Sequence, residues 1–444
     1  MARPLLYLTA ALLAATGSWA SLASKRTARA DYTGHRLVSV TAATAADLSL
    51  LSSLADTLQL DVWEQSTAVG RPALLRLRPA VVDDFLATAS REGLNVTTKC
   101  LNLQESIDNE RREMRFATYS TEEDRFKRYL RYSEFKDALQ QYAKEYDHVS
   151  YTSIGQSYEG RDIIGAHIKA KDNLPIVFFE CGIHAREWIS HATCLYIIDQ
   201  ASILTSAIIC RRINGSLLAT QYETDEEVKR LVSKYEWRIY PVINPDGYEY
   251  THTDDRLWRK TRSVSRLNSE CLGADGNRNF DVGDFCKGRY SGDPCSDGYC
   301  GDGPFSEPEV RAVRDAVLST QGRTEFYFSM HSFGLYWMFP YAYTNVSAAN
   351  YELLLNISLT ATEAISKLRR TEYEVGSISK LVARVPGSSV DWVYDHGGVK
   401  KAFAIELEPS WRTFDDSMAF ALPARKILPS VKETWVGIKA AVNL

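Results

Sequence analysis

Outside its first twenty residues the chain has no long hydrophobic run, and it has no internal repeat, no low-complexity tract and little excess charge of either sign. Each lack narrows the reading. Without about twenty consecutive apolar residues, no membrane anchor is expected. A net charge of −4 over 444 residues points neither to nucleic acid nor to an acidic membrane surface. Eight cysteines are present, but none forms two Cys-x-x-Cys pairs, which argues against a structural zinc site. What is there is ordinary for a folded protein: 45% hydrophobic and 24% charged residues. The length predicts two domains.

Residues 1–20 read as a cleaved secretory signal. Arg3 supplies the positive charge, Leu5 to Ala15 a short apolar run, and Ser18-Trp19-Ala20 small residues at the two positions a signal peptidase reads. An ordinary buried N-terminal helix is the alternative. A secreted, extracellular chain places its cysteines in an oxidising compartment, so disulfides are expected. Spacing alone does not fix their pairing. Asn95, Asn214, Asn345 and Asn356 open glycosylation tripeptides, each a weak signal because such tripeptides are common.

Residues 36–101 predict strand, helix, two strands, helix, strand. That β-α-β-β-α-β order is the split βαβ of a small ferredoxin-like domain. Residues 102–116, "NLQESIDNERREMRF", follow as a charged helix or linker. On this stretch alone two readings stay open: a solvated helix, or a site where Arg111, Arg112 and Arg115 meet a trypsin-like protease. From residue 118 strands near 175–179, 237–243, 325–331 and 402–407 alternate with helices near 188–203, 307–320, 349–369 and 422–442. This is an α/β domain with helices on both faces of a mixed sheet. Ser306 and Glu309 predict a capping box for the 307 helix.

The chemistry lies at strand ends. In "ECGIHAREWIS" His184 and Glu187 follow an apolar strand; His331 follows "EFYFSM"; Glu406 closes "AFAI". The carboxyl ends of strands in open α/β sheets deliver residues to one rim. Two imidazoles, a carboxylate and an open position make a catalytic zinc site, and a second carboxylate could take the proton from zinc-bound water. Chance surface placement remains the alternative on the residues alone.

The motifs "GIHAREWIS" (182–190), "NPDGYEY" (244–250), "RLWRKTRS" (256–263), "DGNRNFD" (275–281), "MHSF" (330–333), "GSSVDW" (387–392), "IELEP" (405–409) and "ETWVG" (433–437) occur in one order. They resemble the secreted zinc metallocarboxypeptidases of the pancreatic carboxypeptidase A/B type, from about residue 35 to the end. The resemblance implies a zymogen with an eight-stranded-type mixed sheet behind the ferredoxin-like prodomain. Its implied parts are a signal at 1–20, an activation propeptide at 21–117 and a catalytic domain at 118–444. It implies one zinc ion on His184, Glu187 and His331, with Asp275 orienting the first histidine. Glu406 is then the general base and proton donor, and Arg259 the oxyanion stabiliser. Asn277 and Arg278 hold the substrate carboxylate, and Arg186 contacts residues further up the peptide. The implied disulfides are Cys181 with Cys194, Cys271 with Cys295, and Cys286 with Cys300, leaving Cys100 and Cys210. The implied partners are peptide or protein C-termini and a trypsin-like activating protease, with the chain a monomer.

Two tyrosines of that family are missing. Phe333 stands two after the second histidine, and Ala383 stands where a mobile tyrosine closes over the substrate carboxylate, with Arg384 beside it. A secreted zinc-binding protein with weak turnover therefore stays as the alternative. A zinc amidohydrolase on the same fold fits less well with the activation segment and Asn277-Arg278. Val390, at the family's specificity position, is neutral and apolar, as is Ala404. The expected product is an aromatic or branched aliphatic C-terminal residue.

Overall fold

The chain's structure, a computed structural model, describes residues 29–116, 122–209, 226–288, 291–320, 322–410 and 419–444. The expected signal at 1–20, Cys210 and Asn214 lie outside the described residues. The first unit runs β1 (Arg36–Thr41), α1 (Ala45–Thr57), β2 (Asp61–Glu64), β3 (Pro72–Leu77), α2 (Val82–Arg91) and β4 (Asn95–Cys100). Its strands pair antiparallel in the order β2-β3-β1-β4. Thr44 opens α1 through a capping box with Asp47. Val38, Val40 and Leu75 from the sheet meet Leu51, Phe85 and Ala89 from the helices in a small core of their own.

After α3 (Leu103–Phe116) come α4 (Tyr132–Glu145), β5 (Val149–Gln156), β6 (Asp162–Ile168), β7 (Ile176–Cys181), α5 (Trp188–Ile209), α6 (Glu226–Lys234), β8 (Glu236–Tyr240) and α7 (Pro245–Thr253). Then follow α8 (Pro308–Leu318), β9 (Thr324–Ser332), β10 (Tyr336–Phe339), α9 (Tyr351–Arg369), β11 (Glu374–Ser377), α10 (Ile378–Leu381), α11 (Ser389–Asp395), β12 (Lys401–Leu407) and α12 (Ile427–Val442). The sheet order is β11-β10-β12-β9-β7-β8-β6-β5, with β12, β9, β7 and β8 parallel to one another at its centre. Successive strand residues face opposite sides. Phe179 therefore stacks on Trp237 and Phe328, on the face where Trp435 of α12 packs. Phe178 stacks on Tyr327 on the other face. Both faces are apolar, as strands covered on two sides require.

β5, β6, β10 and β11 were not signalled by the sequence. β11 is only EVGS, at one edge, and β5, VSYTSIGQ, is half-solvated at the other. Edge strands have one paired side and tolerate polar residues, so their pattern is weak. The expected capping box does not form. Pro308 takes the first helical position, Glu307 becomes the N-cap without a side-chain capping bond, and the Ser306 hydroxyl donates to the Glu307 carboxylate (2.9 Å). Glu309 is drawn inward, where it accepts from the Tyr158 N–H (3.0 Å).

The charged stretch before the second unit is a helix with one buried face. Leu103, Ile107 and Glu110 are each 2% exposed, at the i, i+4, i+7 spacing of a helical stripe. Glu110 reads as solvent-facing in the sequence but is held by Arg256 through two bonds of 2.6 and 2.8 Å. Arg256 also donates to the Arg186 and Phe420 carbonyls and lies 3.6 Å over the Trp188 ring. A guanidinium so enclosed tolerates burial only while its partner stays. Glu110→Ala is therefore expected to cost about 3–5 kcal/mol, read as a lower midpoint in guanidinium chloride unfolding. A loss under about 1 kcal/mol would mean that Arg256 finds another partner or reaches water.

Candidate active site

Register builds the site. β9 and β12 are parallel, with His331 directly opposite Glu406. β7 runs beside β9 and ends at Cys181, so the turn that follows it carries His184 to the same rim. That turn needs glycine at 182: φ is +69°, and a Cβ would sit 1.9 Å from the buried His191 ring. Cys181 is bonded to Cys194 of α5, which fastens the turn to the helix behind it.

His184, Glu187 and His331 are buried, and their ligand atoms lie within 4.8 Å of one another. His184 Nδ1 is 2.8 Å from Glu187 Oε1, and His331 Nδ1 is 3.2 Å from His184 Nδ1 and 3.1 Å from Glu187 Oε2. Two nitrogens and a carboxylate oxygen facing one point are a donor set that suits zinc. Burial opposes charge on Glu187, but the two imidazoles outweigh it and hold the carboxyl well below its usual range. Burial likewise opposes the His331 imidazolium, yet the Glu187 hydrogen bond and charge hold it up at about 9. Both shifts describe a pocket that draws positive charge to its centre.

The other expected residues fall into two groups. Asp275 is fully buried and accepts from His184 Nε2 (3.0 Å) and from the Asn277 N–H (2.9 Å) through Oδ1. Its Oδ2 takes Arg259 Nε (3.0 Å) and a terminal nitrogen (2.8 Å). The remaining Arg259 terminal nitrogen stands 3.5 Å from Glu187. Arg278 approaches Asp275 at 3.9 Å and donates to the Asn277 carbonyl. Asn277 Oδ1 accepts from the Ser389 N–H (2.9 Å), tying this turn to α11 and so to Val390, which is 1% exposed. Gly387 makes the approach possible, since its φ is +80° and a Cβ would meet the Arg278 carbonyl at 2.2 Å.

Glu406 lies in the same rim. Burial pushes its carboxyl up to about 8, with Glu187 adding to the rise and His331 opposing it. Its Oε2 has no protein partner among the described residues. Arg186 stands apart from the triad. It bonds Asp297 (3.0 Å) and the Leu257 carbonyl, and lies 4.1 Å over the Phe420 ring. Arg384 is exposed and Ala383 half-buried. Phe333 packs edge-on against Phe420 and against Trp63 of the first unit.

Residues the sequence did not single out also line this region. Trp63 and Phe420 form the aromatic cover. Ser329, two before His331 on its strand, stands 2.8 Å from His331 Nε2. The period of two along β9 carried that signal. The three disulfides, Cys181–Cys194, Cys271–Cys295 and Cys286–Cys300, have the pairing that the resemblance implied, and Cys100 has no disulfide partner among the described residues.

Comparison with known proteins gives the family. Residues 135–437 match the zinc carboxypeptidase family, and residues 38–110 match the carboxypeptidase activation peptide. The chain is 31% identical to carboxypeptidase A2 of Rattus norvegicus over 394 residues, 87% of each chain. It is 30% identical to carboxypeptidase B of the same species over 433 residues, 95% of this chain and 96% of that one. Carboxypeptidase A from Helicoverpa armigera superposes with a TM-score of 0.81 at 27% identity, covering 93% of this chain and 97% of that one. With the match spanning the greater part of its length, this chain belongs to the zinc carboxypeptidase family and carries that family's activation peptide ahead of the peptidase domain.

Proposed function

We propose that this chain is the secreted zymogen of an exopeptidase that binds one zinc ion and releases aromatic or branched aliphatic residues from peptide C-termini. The observation that carries the reading is the buried His184-Glu187-His331 triad with Glu406 opposite His331 on the neighbouring strand. Zinc, when bound there, supplies acidity to a water and polarises the scissile carbonyl. Glu406 takes the proton from the attacking water and returns it to the leaving nitrogen. Arg259, anchored by Asp275 through two of its nitrogens, turns the third toward the carbonyl oxygen as charge builds there. Asn277 and Arg278 hold the terminal carboxylate, a task that suits a guanidinium fork. Asp275 fixes the tautomer and orientation of His184. Arg186 contacts residues further up the peptide.

Val390 supports the apolar preference, because an apolar terminal side chain gains by burial against it and an unpaired charge does not. Relatives of both the A and the B type stand near 30% identity, so likeness alone does not choose between them. Latency is supported by Trp63, which covers Phe333 and Phe420 beside the site. We assign residues 21–117 to the activation propeptide and 118–444 to the catalytic domain, with cleavage by a trypsin-like protease within 111–117. Arg112 and Arg115 are exposed there, whereas Glu110 is clamped. Three disulfides suit a secreted, extracellular chain.

The absent hydroxyls at Phe333 and Ala383 favour a second reading, a secreted zinc-binding protein of weak turnover. One capping hydrogen bond is worth about 1–3 kcal/mol when one end is charged, which slows an enzyme without removing its chemistry.

Glu406→Gln keeps every ligand of the triad. Zinc content should stay at the wild-type level while kcat on the trypsin-treated protein falls by about 10²–10⁴; undiminished turnover would remove Glu406 from the mechanism. Peptides that differ only in their last residue test the pocket. Phenylalanine or leucine should exceed lysine and glutamate in kcat/KM by at least about tenfold. A lead for glutamate would show that Arg384 reaches inward, and a lead for lysine would reveal an acidic floor.

A further inference from the structure

We propose that Tyr336 and Glu374 form a substrate subsite that takes an arginine side chain from a residue ahead of the C-terminal one. The inference rests on the exopeptidase reading above. It starts from register. His331 pairs with Glu406, Glu406 with Tyr336 and Tyr336 with Glu374 across β9, β12, β10 and β11. Directly opposed residues point to the same face of a sheet. The four side chains therefore form one row that begins at the metal triad and ends at the sheet edge. Neighbouring strands lie about 4.8 Å apart, which puts Tyr336 one strand and Glu374 two strands, about 10 Å, from Glu406.

In the zymogen this corner already holds an arginine. Arg71, just ahead of β3 in the activation peptide, donates to Glu374 Oε2 at 3.1 Å and to the Tyr336 hydroxyl at 3.3 Å. Its guanidinium carbon lies 6.0 Å from the centre of the Tyr336 ring. A carboxylate, a hydroxyl and an aromatic face are groups that suit a guanidinium. Glu64, at the end of β2, accepts the hydrogen of the Tyr336 hydroxyl. The side chains of Arg71 and Glu374 each keep 27% exposure, so the corner opens to solvent and a side chain can enter it from outside.

The division of these groups between the two units gives the corner its role. Arg71 and Glu64 belong to the activation peptide and leave with it, whereas Tyr336 and Glu374 stay with the peptidase domain. A carboxylate and a phenol then remain on the row of Glu406. Along β10, Met338 pairs with Ala404 at the deeper level and Tyr336 with Glu406 at the rim. The terminal side chain belongs to the deeper level, with Val390 and Ala404. A peptide that reaches it crosses the rim, and residues ahead of the last one pass the Tyr336–Glu374 corner. Arginine fits there better than lysine, because its planar fork meets the carboxylate and the hydroxyl together while it lies over the ring. An acidic side chain meets Glu374 and is disfavoured. A latch that only holds the activation peptide would make the same bonds to Arg71 but would give no preference among substrates.

The test is kcat/KM of the trypsin-treated full chain, with the trypsin inhibited before the substrates are added. The substrates are peptides ending in phenylalanine, with arginine, lysine, alanine or glutamate placed in turn at each position ahead of it. At one position arginine should exceed alanine by about three- to tenfold, with lysine between them and glutamate below alanine. Each variant is read as its arginine-to-alanine ratio, from which any unfolded fraction cancels. Glu374→Gln should bring that ratio close to one, and Tyr336→Phe should lower it in part. Glu372→Gln removes an equal charge from an exposed position two residues away and should leave the ratio at the wild-type value. Equal rates for arginine and alanine at every position, or a ratio that survives Glu374→Gln, would overturn the subsite and leave Arg71 a latch. A fall in Glu372→Gln as large as that in Glu374→Gln would overturn it too, as an effect of net charge. If the trypsin-treated chain releases no terminal residue from any of the peptides, the exopeptidase reading fails and the subsite with it, an outcome distinct from release at rates that ignore the residue ahead.

Discussion

Asp275 is wholly buried, and a buried carboxylate is tolerated only when its oxygens are filled by donors. Here they are filled by His184, the Asn277 N–H and Arg259. These bonds join the turn after β7, the loop after α7 and the turn at 275–279 into one rigid piece. Burial favours a neutral acid at Asp275, but Arg259, Arg278 and His184 outweigh it and keep the carboxyl well below its usual range. The anion is therefore permanent. It holds His184 with Nδ1 toward Glu187 and His331, and it anchors Arg259 beside Glu187. Removing Asp275 would leave a guanidinium and an imidazole misaligned together.

The same logic joins the two units. Arg256 sits three residues before Arg259 and is more deeply buried, and its counter-charge is Glu110 of α3. One loop thus takes one charge from the catalytic side and one from the propeptide side. Trp63, against Phe333 and Phe420, covers the approach to the rim from the propeptide side. Arg71 adds a half-exposed pair with Glu374 and a bond to Tyr336, which contributes little by itself because it is solvated. Among the described residues the first unit meets the second through the buried Glu110–Arg256 ion pair, through Trp63 against Phe333 and Phe420, and through the Tyr32 hydroxyl, which donates to Asp255 (2.6 Å).

Much of this was legible in the sequence. The central strands are buried on both faces and read as apolar runs, so their ends, with His184, Glu187, His331 and Glu406, could be placed on one rim. The ferredoxin-like order was legible because a period of two alternated with helical spacing. The edge strands β5 and β11 were not, since solvation removes the pattern there. Glu110 was read as solvated because residue type says nothing of a partner 146 positions away. Glu374 escaped notice for the same reason: Arg71 stands 303 positions before it. Pairings across the fold are created by register, and a linear pattern does not contain them.

The central claim is that a single metal held by His184, Glu187 and His331 makes this chain an exopeptidase. The most direct measurement is zinc content by elemental analysis alongside product mass for a peptide ending in phenylalanine, on the trypsin-treated protein before and after chelation. The account predicts one zinc per chain and loss of the last residue alone in the first turnover, both abolished by the chelator and both restored by adding zinc. Full hydrolysis after zinc has been removed, or cleavage within the peptide in place of at its end, would contradict it.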